Sequence, residues 1–197
     1  MSRKVLDQLT SGFGVVVVVV LVVAGGLLTW GHSYATSNVR QQLAQQQIAF
    51  PPAAAFAHPD GTEFTKSMTP SVSQYAGQQL TTGPQAKAYA DNFIAVHLSE
   101  MPYHGLYAKV SAASMAAPKN TALATEVQTV FRGTTLRSML LEAYGFWTIG
   151  QVMLWGAIAA FLLALGTAIL VGLGLAHAAR TPREVEVLAP KTVLAAS

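Results

Sequence analysis

The chain has 197 residues, 52% of them hydrophobic and only 11% charged, and its Lys and Arg outnumber Asp and Glu by twelve to nine, for a formal charge of +3. A soluble domain carries about 25% charged residues, so much of this chain is built for apolar surroundings, and its scattered cations form no run or stripe of the kind that binds nucleic acid. With no Cys present, disulfides, iron–sulfur clusters and thiolate metal sites within the chain are excluded.

The first element is an uncharged apolar run over residues 13–31 that includes six consecutive Val. About 18 residues at 1.5 Å each give about 27 Å of helix, enough to cross a bilayer core. Val favours strands in water, but in hydrocarbon an isolated segment satisfies its backbone only as a helix. A rival reading makes this run a cleaved signal peptide, with Ser33 and Ala35 before a cut at Thr36.

Beyond the membrane the first helix is expected to continue through Val39, Leu43 and the Gln-rich stretch to Phe50, ending at Pro51 and Pro52. Residues 52–73, with a His-Pro-Asp-Gly turn from His58 to Gly61, read as an extended loop. Pro84 suits a first helical turn, after which Ala86, Tyr89, Ala90, Phe93, Ile94, His97 and Leu98 fall on one face. Lys87 and Asp91 form an i,i+4 pair on it. Met101, Pro102 and Gly105 close that helix. Another starts near Asn120 or Thr121, runs through Leu123, Val127, Val130 and Phe131, and either breaks at Gly133 or continues into the second span. Arg132 and Arg137 stand before that span, placed for lipid head groups or a partner's acid.

The second uncharged run covers residues 143–176, longer than a bilayer core requires. Within it Gly156, Ala160, Ala164, Ala168, Gly172 and Ala176 recur at every fourth position, a ridge of small residues that lets another helix approach closely, from this chain or from another subunit. Gln151 is positioned to hydrogen-bond across helices. Arg3 and Lys4 precede the first span, and Arg180 and Arg183 follow the second, so the positive-inside rule places both termini in the cytoplasm. Trp30, Tyr144 and Trp147 then mark the outer interface. The expected fold is all-α: a cytoplasmic N-terminus at 1–12, a transmembrane helix at 13–31, a small helical extracytoplasmic domain at 32–145, a second, antiparallel transmembrane helix at 146–176, and a cytoplasmic tail at 177–197.

His97, Glu100 and His104 are the weak candidates for a metal site, since spacings of three and four put them on one helical face, although Pro102 interrupts it. His32, at the membrane surface, and His58, in a turn, read as solvated. No phosphate loop or nucleophile elbow occurs, and no ionisable residue lies deep in either span, which counts against a pump or channel made by this chain alone.

Gln42-Leu43-Ala44 with Ile48, Tyr75-Ala76-Gly77, Gly83-Pro84-Gln85-Ala86 with Tyr89-Ala90, Ile94, His97-Leu98, Phe131-Arg132-Gly133 and Leu136-Arg137 give the chain a pattern that resembles a family of small two-span membrane proteins of actinobacteria. Some members carry the label of aromatic ring-opening dioxygenase, a chemistry that needs iron on two His and one carboxylate, or a catalytic partner chain. The expected role is a non-catalytic accessory subunit of a larger bacterial plasma-membrane complex, such as a respiratory oxidase-type assembly. It needs no cofactor, and its partners are other integral membrane subunits and lipid. The alternatives are an extracytoplasmic module that captures a lipid or small ligand around Tyr89, Phe93 and Phe131, and a metal-dependent oxygenase.

Overall fold

The computed structural model describes residues 3–56 and 69–180. Among these residues every regular element is helical: α1 (Arg3–Gln45), α2 (Thr69–Val72), α3 (Gly83–Tyr89), α4 (Ala95–Glu100), α5 (Tyr107–Ala116) and α6 (Thr121–Arg180). A π-helical turn, Ala90–Ile94, joins α3 to α4, and 3-10 turns occupy Ala53–Phe56, Ser73–Tyr75 and Pro102–Gly105. Helices α1 and α6 are long and apolar enough to cross a membrane. Contacts divide the described residues into two units, residues 3–31 with 152–180, and residues 32–56 with 69–151.

In the first unit α1 and α6 lie antiparallel. As the α1 position rises from 11 to 31, its partner on α6 falls from 174 to 153. Ser11 Oγ lies 2.9 Å from where a Cβ on Gly174 would sit, Val171 Cγ2 2.4 Å from one on Gly14, the Phe161 ring 2.8 Å from one on Gly25, and Met153 Sδ 2.8 Å from one on Gly31. Buried and half-buried positions on α1 include Asp7, Ser11, Gly14, Val18, Leu21, Gly25 and Leu28. On α6 they include Met153, Ala157, Ala160, Ala164, Thr167, Val171, Gly174 and Ala178. Steps of three and four alternate on both helices, the 3.5-residue repeat of a left-handed coiled pair. Small residues along the seam let the backbones approach. The remaining circumference is apolar and exposed, including Phe13, Val20, Leu27, Leu162 and Leu173.

The second unit is built around Val39, Leu43, Phe50, Phe56, Val72, Leu80, Ala86, Ala90, Ile94 and Leu140, all buried. Helix α1 ends at Gln45, five residues before the expected stop. Gln47 takes a left-handed conformation (φ 53°), and the chain beyond it pairs with a later segment instead of staying helical. The Phe50 N–H donates to the Gln78 carbonyl, and the Leu80 N–H to the Ile48 carbonyl, both at 2.8 Å. A single antiparallel bridge, Ala49 with Gln79, results. The stretch expected to be an extended loop instead holds the 3-10 turn at Ala53–Phe56 and α2, because Phe56 and Val72 are drawn into the core. The turn expected from His58 to Gly61 lies outside the described residues.

Helix α3 begins with a capping box: Thr82 is the N-cap, its N–H donates to Gln85 Oε1 at 3.0 Å, and Pro84 stands in the first turn. Gln85 is buried yet satisfied, since Oε1 also accepts from the Thr81 N–H at 2.9 Å and Nε2 donates to Gln78 Oε1 at 3.0 Å. Helix α6 starts at the expected cap, where Asn120 Oδ1 accepts from the N–H groups of Ala122 and Leu123. It runs without a break through Gly133. A Cβ there would lie 2.9 Å from the Leu98 side chain, so that glycine serves close packing and does not end the helix.

Candidate functional site

A charged cluster in the second unit centres on Asp91, in the π-helical turn. Lys87 Nζ donates to Asp91 Oδ2, while Arg137 Nη2, from α6, donates to Oδ1 at 2.9 Å. The Lys87 ammonium also stands 5.4 Å from the centre of the Tyr144 ring, within cation–π range. A π turn inserts one residue into a helix and is frequent at functional sites. Here it carries the one carboxylate that both cations share. Arg137, expected to face lipid or a partner's acid, finds this acid in its own chain.

The Lys87 hydrogen bond is the main cause holding the Asp91 carboxyl below its ordinary value. Burial opposes it and the Arg137 hydrogen bond reinforces it. The same bond holds the Lys87 ammonium above its ordinary value. A carboxyl depressed on folding contributes stability above its unfolded pKa of about 3.9 and loses it as pH falls through the depressed value. Stability of wild type should therefore decline more steeply below about pH 4 than that of Asp91→Asn, with thermal melting across pH as the measurement. The difference should be small, because part-exposed ion pairs contribute about 0.2–1 kcal/mol.

Beside this cluster, aromatic rings fill the core. Phe50 meets Tyr75 at 5.2 Å and Tyr89 at 5.5 Å, Tyr89 meets Phe93 at 4.6 Å, and Phe93 meets His97 at 4.5 Å between ring centres. Tyr89 and Phe93, nominated for ligand capture, are thus packed against neighbouring rings. Phe131 lies elsewhere, half exposed against Tyr107 at 5.8 Å.

The helical face that would unite His97, Glu100 and His104 is broken. Helix α4 ends at Glu100, Met101 is extended, and Tyr103, His104 and Gly105 all take left-handed conformations. His97 Nδ1 donates to the Phe93 carbonyl at 2.8 Å, and His104 Nδ1 meets the Ser99 carbonyl at 3.3 Å. Among the described residues no three His, Asp or Glu gather as a metal-binding group. His32, expected to be solvated, instead donates from Nδ1 to the Gly150 carbonyl at 2.8 Å, because α1 and α6 approach closely there.

The small-residue ridge of α6 parts from the seam along its length. Gly156 is half buried, Ala160 and Ala164 are buried, and Ala168, Gly172 and Ala176 are exposed. At 100° per residue a strict four-residue series advances about 40° per step, whereas a heptad seam drifts about 20° the other way each repeat. The two coincide at Ala160 and Ala164 and have separated by Ala168. No side chain stands within 4 Å of where a Cβ on Gly172 would lie.

Compared with protein-family models, curated proteins and solved structures, the chain matches none of them.

Proposed function

We propose that the chain is a two-span bacterial plasma-membrane protein with both termini cytoplasmic, serving as a non-catalytic accessory subunit that docks on a neighbouring membrane helix. The observation that carries this reading is the exposed end of the ridge. Ala168, Gly172 and Ala176 present a second small-residue surface that the α1 seam does not cover, and in lipid such surfaces support close helix contact. The exposed aliphatic circumference of the α1–α6 pair suits lipid, since in water so large an apolar surface would aggregate. The cationic flanks, Arg3 and Lys4 on one side and Arg180 on the other, favour the cytoplasm for both ends.

The test is recovery of partners with the tagged full-length protein in mild detergent. Wild type should bring down stoichiometric membrane subunits. Ala168→Leu combined with Gly172→Leu should reduce that recovery at least about tenfold, the scale of losing about 1.4 kcal/mol of contact, while leaving the intrachain seam at Ala160 and Ala164 intact. A wild-type monomer without partners would overturn the accessory role, and full recovery with the double variant would remove the ridge from it.

A further inference from the structure

We infer that Lys87 and Arg137, held on either side of Asp91, form a binding site for the phosphodiester head group of an anionic phospholipid at the outer face of the membrane; this rests on the two-span reading above. Three features converge on it. The first is charge: two cations, Lys87 and Arg137, share the single carboxylate of Asp91. The cluster therefore keeps an excess of one positive charge, matched to the single negative charge of a phosphodiester.

The second is unused donor capacity. Arg137 binds Asp91 through one nitrogen only, where a bidentate fork is the strong arrangement, and its Nε–H is buried with no partner. Lys87 commits one of three donors. The Lys87 side chain is 48% exposed and that of Arg137 38%, so both cations can be approached from outside, while the Arg137 Nε–H itself is buried. An ion pair that only braced α3 to α6 would gain from closing the fork, and this one leaves it open.

The third is depth. Arg137 precedes the uncharged run that begins at Ala143 by six residues, about 9 Å along the helix. The Lys87 ammonium stands over the Tyr144 ring at the start of that run. With the hydrocarbon face at the start of that run, the Arg137 backbone stands just outside the head-group layer, about 5–8 Å thick, so its side chain has to reach into that layer to meet a phosphate. Tyr144 and Trp147 supply the interfacial rings that flank such a layer.

The test uses the full chain in detergent, titrated with phosphatidylglycerol or phosphatidylcholine and read by native mass spectrometry. Wild type should retain one phosphatidylglycerol about tenfold more tightly than phosphatidylcholine, the scale of one charge-assisted contact. Lys87→Gln with Arg137→Gln should abolish that preference. Lys87→Gln alone, at a half-exposed position that folding tolerates, should weaken it. Asp91→Asn frees both cations from their competing acid and should bind phosphatidylglycerol at least as tightly as wild type, even as its melting temperature falls.

Several results would overturn the site: no preference in wild type, a preference that survives the loss of both cations, or an Asp91→Asn variant as weak as the double variant, which would make the cluster a brace alone. Displacement by glycerol phosphate at equal concentration would transfer it to free phosphate esters and overturn the lipid assignment. Alkaline carbonate extraction separates this from the parent reading. If carbonate releases wild type from membranes, the two-span reading fails and the site with it, whereas membrane-retained wild type with no lipid preference removes the site only.

Discussion

Gly83→Ala should destabilise the protein by about 2–3 kcal/mol, the upper part of the range for overpacking a well-filled site. A Cβ on Gly83 would fall 2.3 Å from Trp147 Cβ and 2.4 Å from its Cγ. These atoms are the stem of the side chain, so the clash cannot be relieved by swinging a flexible end away. Either α6 shifts or the Thr82–Gln85 capping box opens, and the core around Leu80 and Leu140 is exposed in both cases. Gly145→Ala provides the contrast. It lies inside α6 with nothing within 4 Å of its Cβ, so alanine there should raise stability by about 0.5–1 kcal/mol through helix propensity. Thermal unfolding of both variants in one detergent, followed by circular dichroism, checks the pair. Equal effects would mean that α3 is not seated on Trp147.

Long helices were legible because composition and period agree over many residues, as in the Val run of α1 and the uncharged run of α6. The Asn120 cap and the Lys87–Asp91 pair were legible for a similar reason, being local rules within four residues. What escaped depends on contacts distant in sequence. Pro51 and Pro52 looked like the end of α1, yet pairing between residues 48–50 and 78–80 ends it at Gln45. The π turn has no signature of its own, since residues 90–94 read as ordinary helix until Arg137, 46 positions later, is seen to hold Asp91. Helix α5 is rich in small residues and has little amphipathic pattern, so its place is fixed by the complete burial of Val110 and by the contact of Tyr107 with Phe131. Thr82 and Gln85 carried the spacing of a capping box, a signal hidden behind the more conspicuous Pro84. The α6 ridge was visible as a four-residue repeat, but its division between a covered half and an open half follows from seam drift, which requires the partner helix to be known.

Gly14→Cys combined with Val171→Cys should form a disulfide on mild oxidation. A Cβ on Gly14 lies 3.8 Å from Val171 Cβ, close to the mean separation of about 3.8 Å in disulfides. The chain contains no other Cys, so loss of labelling by a maleimide-linked polymer reports this bond alone. Gly12→Cys with Gly172→Cys is the control. The two residues sit at a similar level of the helix pair but are exposed, with no side chain within 4 Å of either Cβ, and both thiols should remain reactive. Bonding in the control pair, or none in the first, would overturn the antiparallel register. Closing a loop of this length stabilises by up to about 5 kcal/mol in the chain-entropy account, so the oxidised protein should also melt well above the reduced one. The lock acts on the seam and leaves Ala168, Gly172 and Ala176 uncovered. If those three residues form the docking face, the oxidised variant should recover partner subunits as fully as wild type, because the helix that receives the partner is held in the register it already occupies.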